Sequence, residues 1–328
     1  MGEIKCSRRG CNRPAVIYQR YSGLHLCEKH FIEYIERKVK KELRRQMGVE
    51  RGDRIAVALS GGKDSSALIY MLNKFFHDRR DLQFVAIAVD EGIKGFRRLT
   101  LDNAEKLTKK LNMELFTYSF AHEFGFTLDE IVSKGFEQAP CTFCGVLRRR
   151  VIERKAKELG ITKVFTAHNL DDEVQTIMLN YIRGDIERLR RLNMHRIDEF
   201  VPRIKPLRTI PEKEIGLYAY LVGLPLLSAH CPYARLSFRF SVKRMLNEFE
   251  MRHPGAKYSL LRGYEHLMEL LPASTAHQRR LLTCERCGEA SASKLCKVCE
   301  IIERMKMHQL AMHPPENCGT HYTRYQCE

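Results

Sequence analysis

Residues 1–30 are polar and turn-rich, and the chain then becomes strongly periodic. Phe31, Ile32, Ile35, Val39 and Leu43 share one helical stripe, while Lys38, Lys40, Lys41, Arg44 and Arg45 crowd the rest. That pattern predicts a basic amphipathic helix over 31–47, stopped by Gly48 and the Gly52-Asp53 pair. Beyond it, short apolar runs alternate with amphipathic stretches. Strands are predicted at Arg54–Leu59, Gln83–Val89, Glu114–Tyr118 and Lys163–Ala167, with a weaker one near Leu226–Ser228. Helices are predicted at Ser65–Phe76, Leu101–Leu111, Gly145–Leu159 and Asp172–Tyr181, and again within 235–271. Such alternation predicts an α/β fold, a Rossmann-like parallel sheet with helices on both faces. Pro272–Thr275 reads as a linker. The expected organisation is a module at 1–30, a basic linker helix at 31–50, a catalytic domain at 51–275, a second module at 276–310 and a tail at 311–328.

Composition narrows the class. Hydrophobic residues make up 44% of the 328, which excludes wholesale disorder. The uncharged stretch Gly216–Ala234 contains Pro225, Ser228, His230 and Pro232, so it reads as strand and loop rather than a membrane span. Fifty-six Lys and Arg against 40 Asp and Glu give a net charge of +16, which favours an anionic partner. No basic, apolar, then small-residue pattern opens the chain, so a cytoplasmic setting is expected. Twelve cysteines in that setting point to metal or redox chemistry rather than disulfides.

The first predicted strand runs into Ser60-Gly61-Gly62-Lys63-Asp64-Ser65, and a helix follows. Two glycines there let backbone N–H groups approach an anion, and the helix end adds free donors and a positive dipole. Ser60 and Ser65 add hydroxyls, and Asp64 can help hold Mg²⁺. The string lacks the spacing of a Walker loop. It resembles the pyrophosphate loop of the N-type ATP pyrophosphatases, a family that cleaves ATP between the α and β phosphates to adenylate a carbonyl oxygen. Ala167-His168-Asn169-Leu170-Asp171-Asp172 resembles that family's second segment. The resemblance implies that Ala58 to Ser65, Val89, Arg148, Ala167 and Asp172 surround the nucleotide. Helix capping alone would also account for Asp171 and Asp172.

Three cysteines remain in the middle: Cys141 and Cys144 in a Cys-x-x-Cys before a helix, and Cys231. Structural zinc wants four ligands, and this set offers three unless His230 turns in. Three thiolates suit an iron–sulfur cluster with one open iron. A persulfide on Cys144 resolved by Cys231, or inert thiols, are the alternatives. With the loop, this set resembles the TtuA-type tRNA 2-thiouridine synthetases, which include archaeal and eukaryotic cytosolic tRNA thiolation proteins. That resemblance implies a [4Fe-4S] cluster on Cys141, Cys144 and Cys231. It also implies a catalytic basic residue at Arg148, which neutralises charge but cannot donate a proton. Partners implied are tRNA, a sulfur donor (sulfide or an ubiquitin-like thiocarboxylate carrier) and a second copy of the chain.

The ends carry two further ligand sets. Cys284-x2-Cys287-x8-Cys296-x2-Cys299 pairs two knuckles suited to tetrahedral zinc, and Cys6-x4-Cys11-x15-Cys27-x2-His30 offers three sulfurs and a nitrogen. Cys318, His321 and Cys327 read as tail. The expected activity is ATP-dependent uridine 2-sulfur transfer in tRNA. A 2-thiocytidine or lysidine synthetase is the enzymatic rival, and a non-catalytic zinc-finger RNA-binding protein the rival from another class.

Overall fold

The computed structural model describes residues 4–192, 199–227, 230–271 and 282–312. The linker Pro272–Thr275, Arg279-Arg280, Ser228 and the tail with Cys318, His321 and Cys327 lie outside the described residues.

A hairpin of β1 (Ile17–Gln19) and β2 (Leu24–Leu26) leads into helix α1 (Glu28–Arg45). The α/β domain then alternates: β3 (Arg54–Ala58), α2 (Lys63–Phe76), β4 (Gln83–Asp90), α3 (Arg97–Lys110), β5 (Glu114–Ser119). Short α4 (Phe120–Phe124) and α5 (Leu128–Ser133) precede the long α6 (Pro140–Glu158), then β6 (Lys163–Phe165), α7 (Leu170–Ile182) and α8 (Ile186–Leu192). Next come β7 (Arg203–Ile204), α9 (Glu212–Leu221), α10 (Phe238–Arg252) and α11 (Ala256–Leu270). A second hairpin, β8 (Leu282–Thr283) with β9 (Ala290–Ser291), is followed by α12 (Lys297–Met312). The central sheet has the order β5-β4-β3-β6-β7 with all pairs parallel. Order reverses beside β3, so the crevice beyond that strand's carboxyl end is the place for a ligand.

Alternation along the strands sorts the interior into two cores. Ile55, Val57 and Ala86 face α1, α2, α3 and α9. Ala56, Val85, Ile87, Val89 and Val164 face α5, α6 and the C-terminal module. The predicted linker helix is fully part of the first core: Phe31, Ile35 and Val39 are 0% exposed. Each such side chain contributes about 1.5–3 kcal/mol by leaving water. A third core joins α7, α8, α10 and α11.

One strand differs from expectation. The fifth strand is Arg203–Ile204, paired with Val164 and Phe165, while Leu226 and Leu227 are irregular. Pro202 and Pro206 bracket the true strand and limit it to two residues, too few for an apolar run to register. Helices α2, α3, α6 and α7 also start earlier than predicted, which puts Lys63 and Cys141 inside first turns and Cys144 at the start of the second turn of α6.

Candidate active site

Gly62 is the N-cap of α2, and the N–H groups of the helix's first turn point out of its end without intrahelical acceptors. Ser60 Oγ lies 2.9 Å from Ser65 Oγ and accepts from Gly62 N at 3.3 Å; Ser65 Oγ accepts from Ser60 N at 3.2 Å. The loop is therefore closed by its own hydroxyls. Gly61 has φ +77°, and a Cβ there would meet the Thr100 carbonyl oxygen at 1.8 Å. No other residue fits. The loop is held from outside by Asn103 Nδ2, which donates to Gly61 O at 2.6 Å, and by Arg97 Nη1, which donates to Ser60 O at 2.7 Å. Ala58 ends β3, and Leu59, buried behind the loop, donates its N–H to Ile87 O. The carbonyl of Val89 is taken by Arg97 Nε at 2.8 Å.

Opposite the loop, α7 opens with a reciprocal capping box: Asn169 Oδ1 accepts from Asp172 N, and Asp172 Oδ2 accepts from Asn169 N. Asp171 is structural, taking Lys257 Nζ and the Glu212 N–H. Asp172 faces the crevice with Asp64 and Glu212, and burial pushes its carboxyl up to about 6. Asp64 Oδ2 takes Lys63 Nζ at 3.0 Å, but its Oδ1 is buried without a protein donor, and burial raises its pKa as well. Burial works against the charge on Glu212, yet hydrogen bonds from Lys243 and Lys63 hold it down at about 2. Ala167 and His168 follow β6. Partial desolvation, then the nearby cations Lys205, Arg148, Arg239 and Arg203, lower the pKa of His168, although the residue keeps solvent exposure.

Cys141 and Cys144 sit three apart on α6 and share one face. Cys141 Sγ lies 3.9 Å from the Tyr233 carbonyl, two residues beyond Cys231. Burial pushes the Cys144 thiol up to about 12, and the charges of Glu91, Cys141 and Cys231 reinforce it against Arg148. The Cys231 thiol is raised by burial too. The three cysteines are thus close enough to influence one another's charge. Arg148, one turn past Cys144, pairs with Glu91 at 3.5 Å, and Arg97 pairs with the other Glu91 oxygen at 2.8 Å.

The two terminal sets are tighter. Among the described residues, Cys6, Cys11, Cys27 and His30 bring their ligand atoms within 4.8 Å of one another, as do Cys284, Cys287, Cys296 and Cys299. A Zn–S length near 2.3 Å puts tetrahedral sulfurs about 3.8 Å apart. Cys11–Cys27 and Cys284–Cys299 are at 3.8 Å and Cys287–Cys296 at 3.7 Å. His30 enters through Nδ1, 3.2 Å from Cys6 Sγ and 3.5 Å from Cys27 Sγ. The central trio is not gathered this closely, which fits ligands spread over several irons better than four around one ion.

Sequence reasoning missed Glu91, Arg97, Arg239, Glu212 and Lys243. Arg239 donates from α10 to Asp172 O and to Thr176 Oγ1 at 2.9 Å. These residues lie outside recognisable motifs, and only the fold brings them to the crevice.

Comparison with known proteins agrees with this geometry. The PP-loop domain model matches residues 32–226, and the model of the N-terminal LIM domain of the 2-thiouridine synthetase TtuA matches residues 5–32. A tRNA 2-thiolation protein NcsA from Haloferax volcanii is 37% identical, aligned over 92% of this chain and 99% of its own. A cytoplasmic tRNA 2-thiolation protein 1 from Caenorhabditis elegans is 36% identical over 90% of this chain and 80% of its own. The solved U34-tRNA thiolase NcsA of Methanococcus maripaludis, with its [4Fe-4S] cluster, superposes with a TM-score of 0.80 at 38% identity, covering 93% of this chain and 97% of its own. The chain belongs to the PP-loop family of tRNA 2-thiolation proteins.

Proposed function

We propose that this protein is an ATP-dependent tRNA-uridine 2-sulfurtransferase acting at U34, the position named for its structural neighbour. The observation that carries the reading is the neighbourhood of a PP-loop at β3: Cys141 and Cys144 on α6 lie beside the Cys231 segment, and Cys141 approaches the Tyr233 carbonyl.

ATP would place its β and γ phosphates on the amides of Gly62 to Ser65, with Lys63 and the Ser60 and Ser65 hydroxyls completing the cradle. The buried, unpartnered Asp64 Oδ1 and the Asp172 carboxyl offer hard oxygens suited to Mg²⁺. Uridine O2 attacks the α-phosphorus and pyrophosphate leaves, converting a carbonyl oxygen into an adenylate leaving group. Sulfide then bonds to C2 as the bond from C2 to the AMP oxygen breaks; a thiocarboxylate carrier would supply that sulfur with hydrolysis of its acyl–sulfur bond to a carboxylate. Cys141, Cys144 and Cys231 would hold a [4Fe-4S] cluster, which when bound supplies an iron open to an external sulfur ligand. Arg148 supplies fixed positive charge beside Cys144 and the phosphates. Holding both reactants at one edge makes each step effectively intramolecular. The terminal sets would each hold Zn²⁺. Burial, then the like charges of Arg203, Arg148 and Arg188, lower Arg149 to about 10, and an RNA phosphate would offset the repulsive part. A cytoplasmic homodimer completes the reading.

The test is anaerobic reconstitution with iron and sulfide, then incubation with tRNA, ATP and sulfide. Mass analysis of nucleosides should find 2-thiouridine with the parent chain and none with Cys231→Ala. Equal product from Cys231→Ala would overturn the three-thiol reading.

A further inference from the structure

The C-terminal four-cysteine module packs against the helix that carries Cys141 and Cys144. Cys284, Cys296, Cys299, Ile301 and Met305 share a core with Phe143, Leu147 and Val151 of α6. Arg150 of α6 donates toward Cys287 Sγ at 3.8 Å and pairs with Glu289 at 3.7 Å. Arg304 of α12 reaches the segment that flanks Cys141. Its guanidinium lies 4.5 Å from the Phe136 ring centre and 5.9 Å from that of Phe143, the residue just before Cys144. It also donates to Gln138 Oε1 at 2.7 Å. The two rings are 5.6 Å apart.

Residues 136–139 are irregular, and α6 starts at Pro140 with Ala139 as an N-cap that offers no side-chain acceptor. Pro140 at the first position favours a helix start there, but no side chain caps the first turn. Arg304 binds both sides of that start, Phe136 and Gln138 before it and Phe143 within it. A planar guanidinium can stack and hydrogen-bond at once, which an ammonium cannot. Cys296 immediately precedes α12, and Cys299 lies in its first turn, so an ion on the four thiolates would anchor the element that carries Arg304.

We propose that the C-terminal module acts through Arg304 as a clamp on the start of α6, making Arg304 a positioning residue that sets Cys141 and Cys144 for cluster binding. The inference rests on the three-thiol reading under Proposed function. Supporting groups of this kind are worth about 10–100-fold in metal affinity.

The experiment is anaerobic reconstitution of the full chain, followed by iron and sulfide analysis and by the rate of loss of the cluster's visible absorbance to a chelator. Arg304→Ala should lose its cluster about tenfold faster than the parent, with ATP affinity and thermal midpoint unchanged. Arg304→Lys should recover only part of the retention. Gln138→Ala, which leaves the packing alone, should show a smaller acceleration and serves if Arg304→Ala does not fold. Parent and Arg304→Ala chains holding the cluster equally long, or for an unfolded Arg304→Ala an equal result with Gln138→Ala, would overturn the clamp. A parent chain that takes up no cluster would instead overturn the three-thiol reading.

Discussion

Glu91, at 3% exposure, holds Arg97 and Arg148 on separate carboxylate oxygens, so one buried charge at the end of β4 links the pyrophosphate loop to the cysteine helix. Arg97 is itself buried and donates to Ser60 O and Val89 O. Glu91→Ala leaves that cation uncompensated and should cost about 3–5 kcal/mol in urea unfolding. Arg148→Met leaves the Glu91–Arg97 pair intact. It should cost less than about 1 kcal/mol and yet lower kcat by more than about tenfold if its charge serves the reaction. Equal stability losses in the two variants would contradict this arrangement.

Gly61→Ala should abolish ATP binding, measured by calorimetry. Its methyl group would overlap the Thr100 carbonyl, and the positive φ adds strain of about 1 kcal/mol or more. Gly62→Ala meets nothing closer than Ser60 Oγ at 3.5 Å and should weaken binding far less.

Asp172 carries a pH signature. Its folded pKa of about 6 lies above the ordinary aspartate value of 3.8, so the folded chain binds the proton more tightly than the unfolded one. The contribution is fully present below about pH 4 and lost as pH rises through about 6. Asp172→Asn should therefore be more stable than the parent at neutral pH, by roughly 1–3 kcal/mol, while losing thiolation activity. Chemical unfolding from pH 4 to 8 checks both the sign and the window; a parent curve flat across it would rule out the buried charge.

Arg149→Ala and Arg203→Ala should each weaken tRNA binding regardless of sequence and reduce the salt slope by about one. Filter binding at several ionic strengths reads this directly. An unchanged slope would place the RNA backbone elsewhere.

Metal analysis should find two zinc ions per chain. His30→Ala should release one and lower the thermal midpoint, because Cys6 and Cys27 belong to the first core. Retention of both ions would remove His30 from the ligand set.

Much of this was legible in the chain. The runs at 54–58 and 83–90 announced strands because buried parallel strands are nearly continuously apolar, 114–119 did so through its β-formers on an edge strand, and the pyrophosphate loop and the Cys-x-x-Cys pairs carry their chemistry in local spacing. β7 was not legible, since two residues between prolines have no period. Nor were Glu91, Arg239 or Glu212: a single charged residue has no pattern, and its partner lies tens of residues away. The part of α1 in the main core was hidden behind its basic face, which reads as a connector until the buried stripe is seen against α9.

That helix also ties the first thirty residues to everything after them. Cys27 is its N-cap, and Phe31 and Ile35 sit under the sheet without any solvent contact. An amino-terminal finger built this way is no detachable adaptor. Cutting the chain before residue 31 would uncover greasy surface on the enzyme body, and the shortened protein should precipitate rather than survive as a trimmed catalyst.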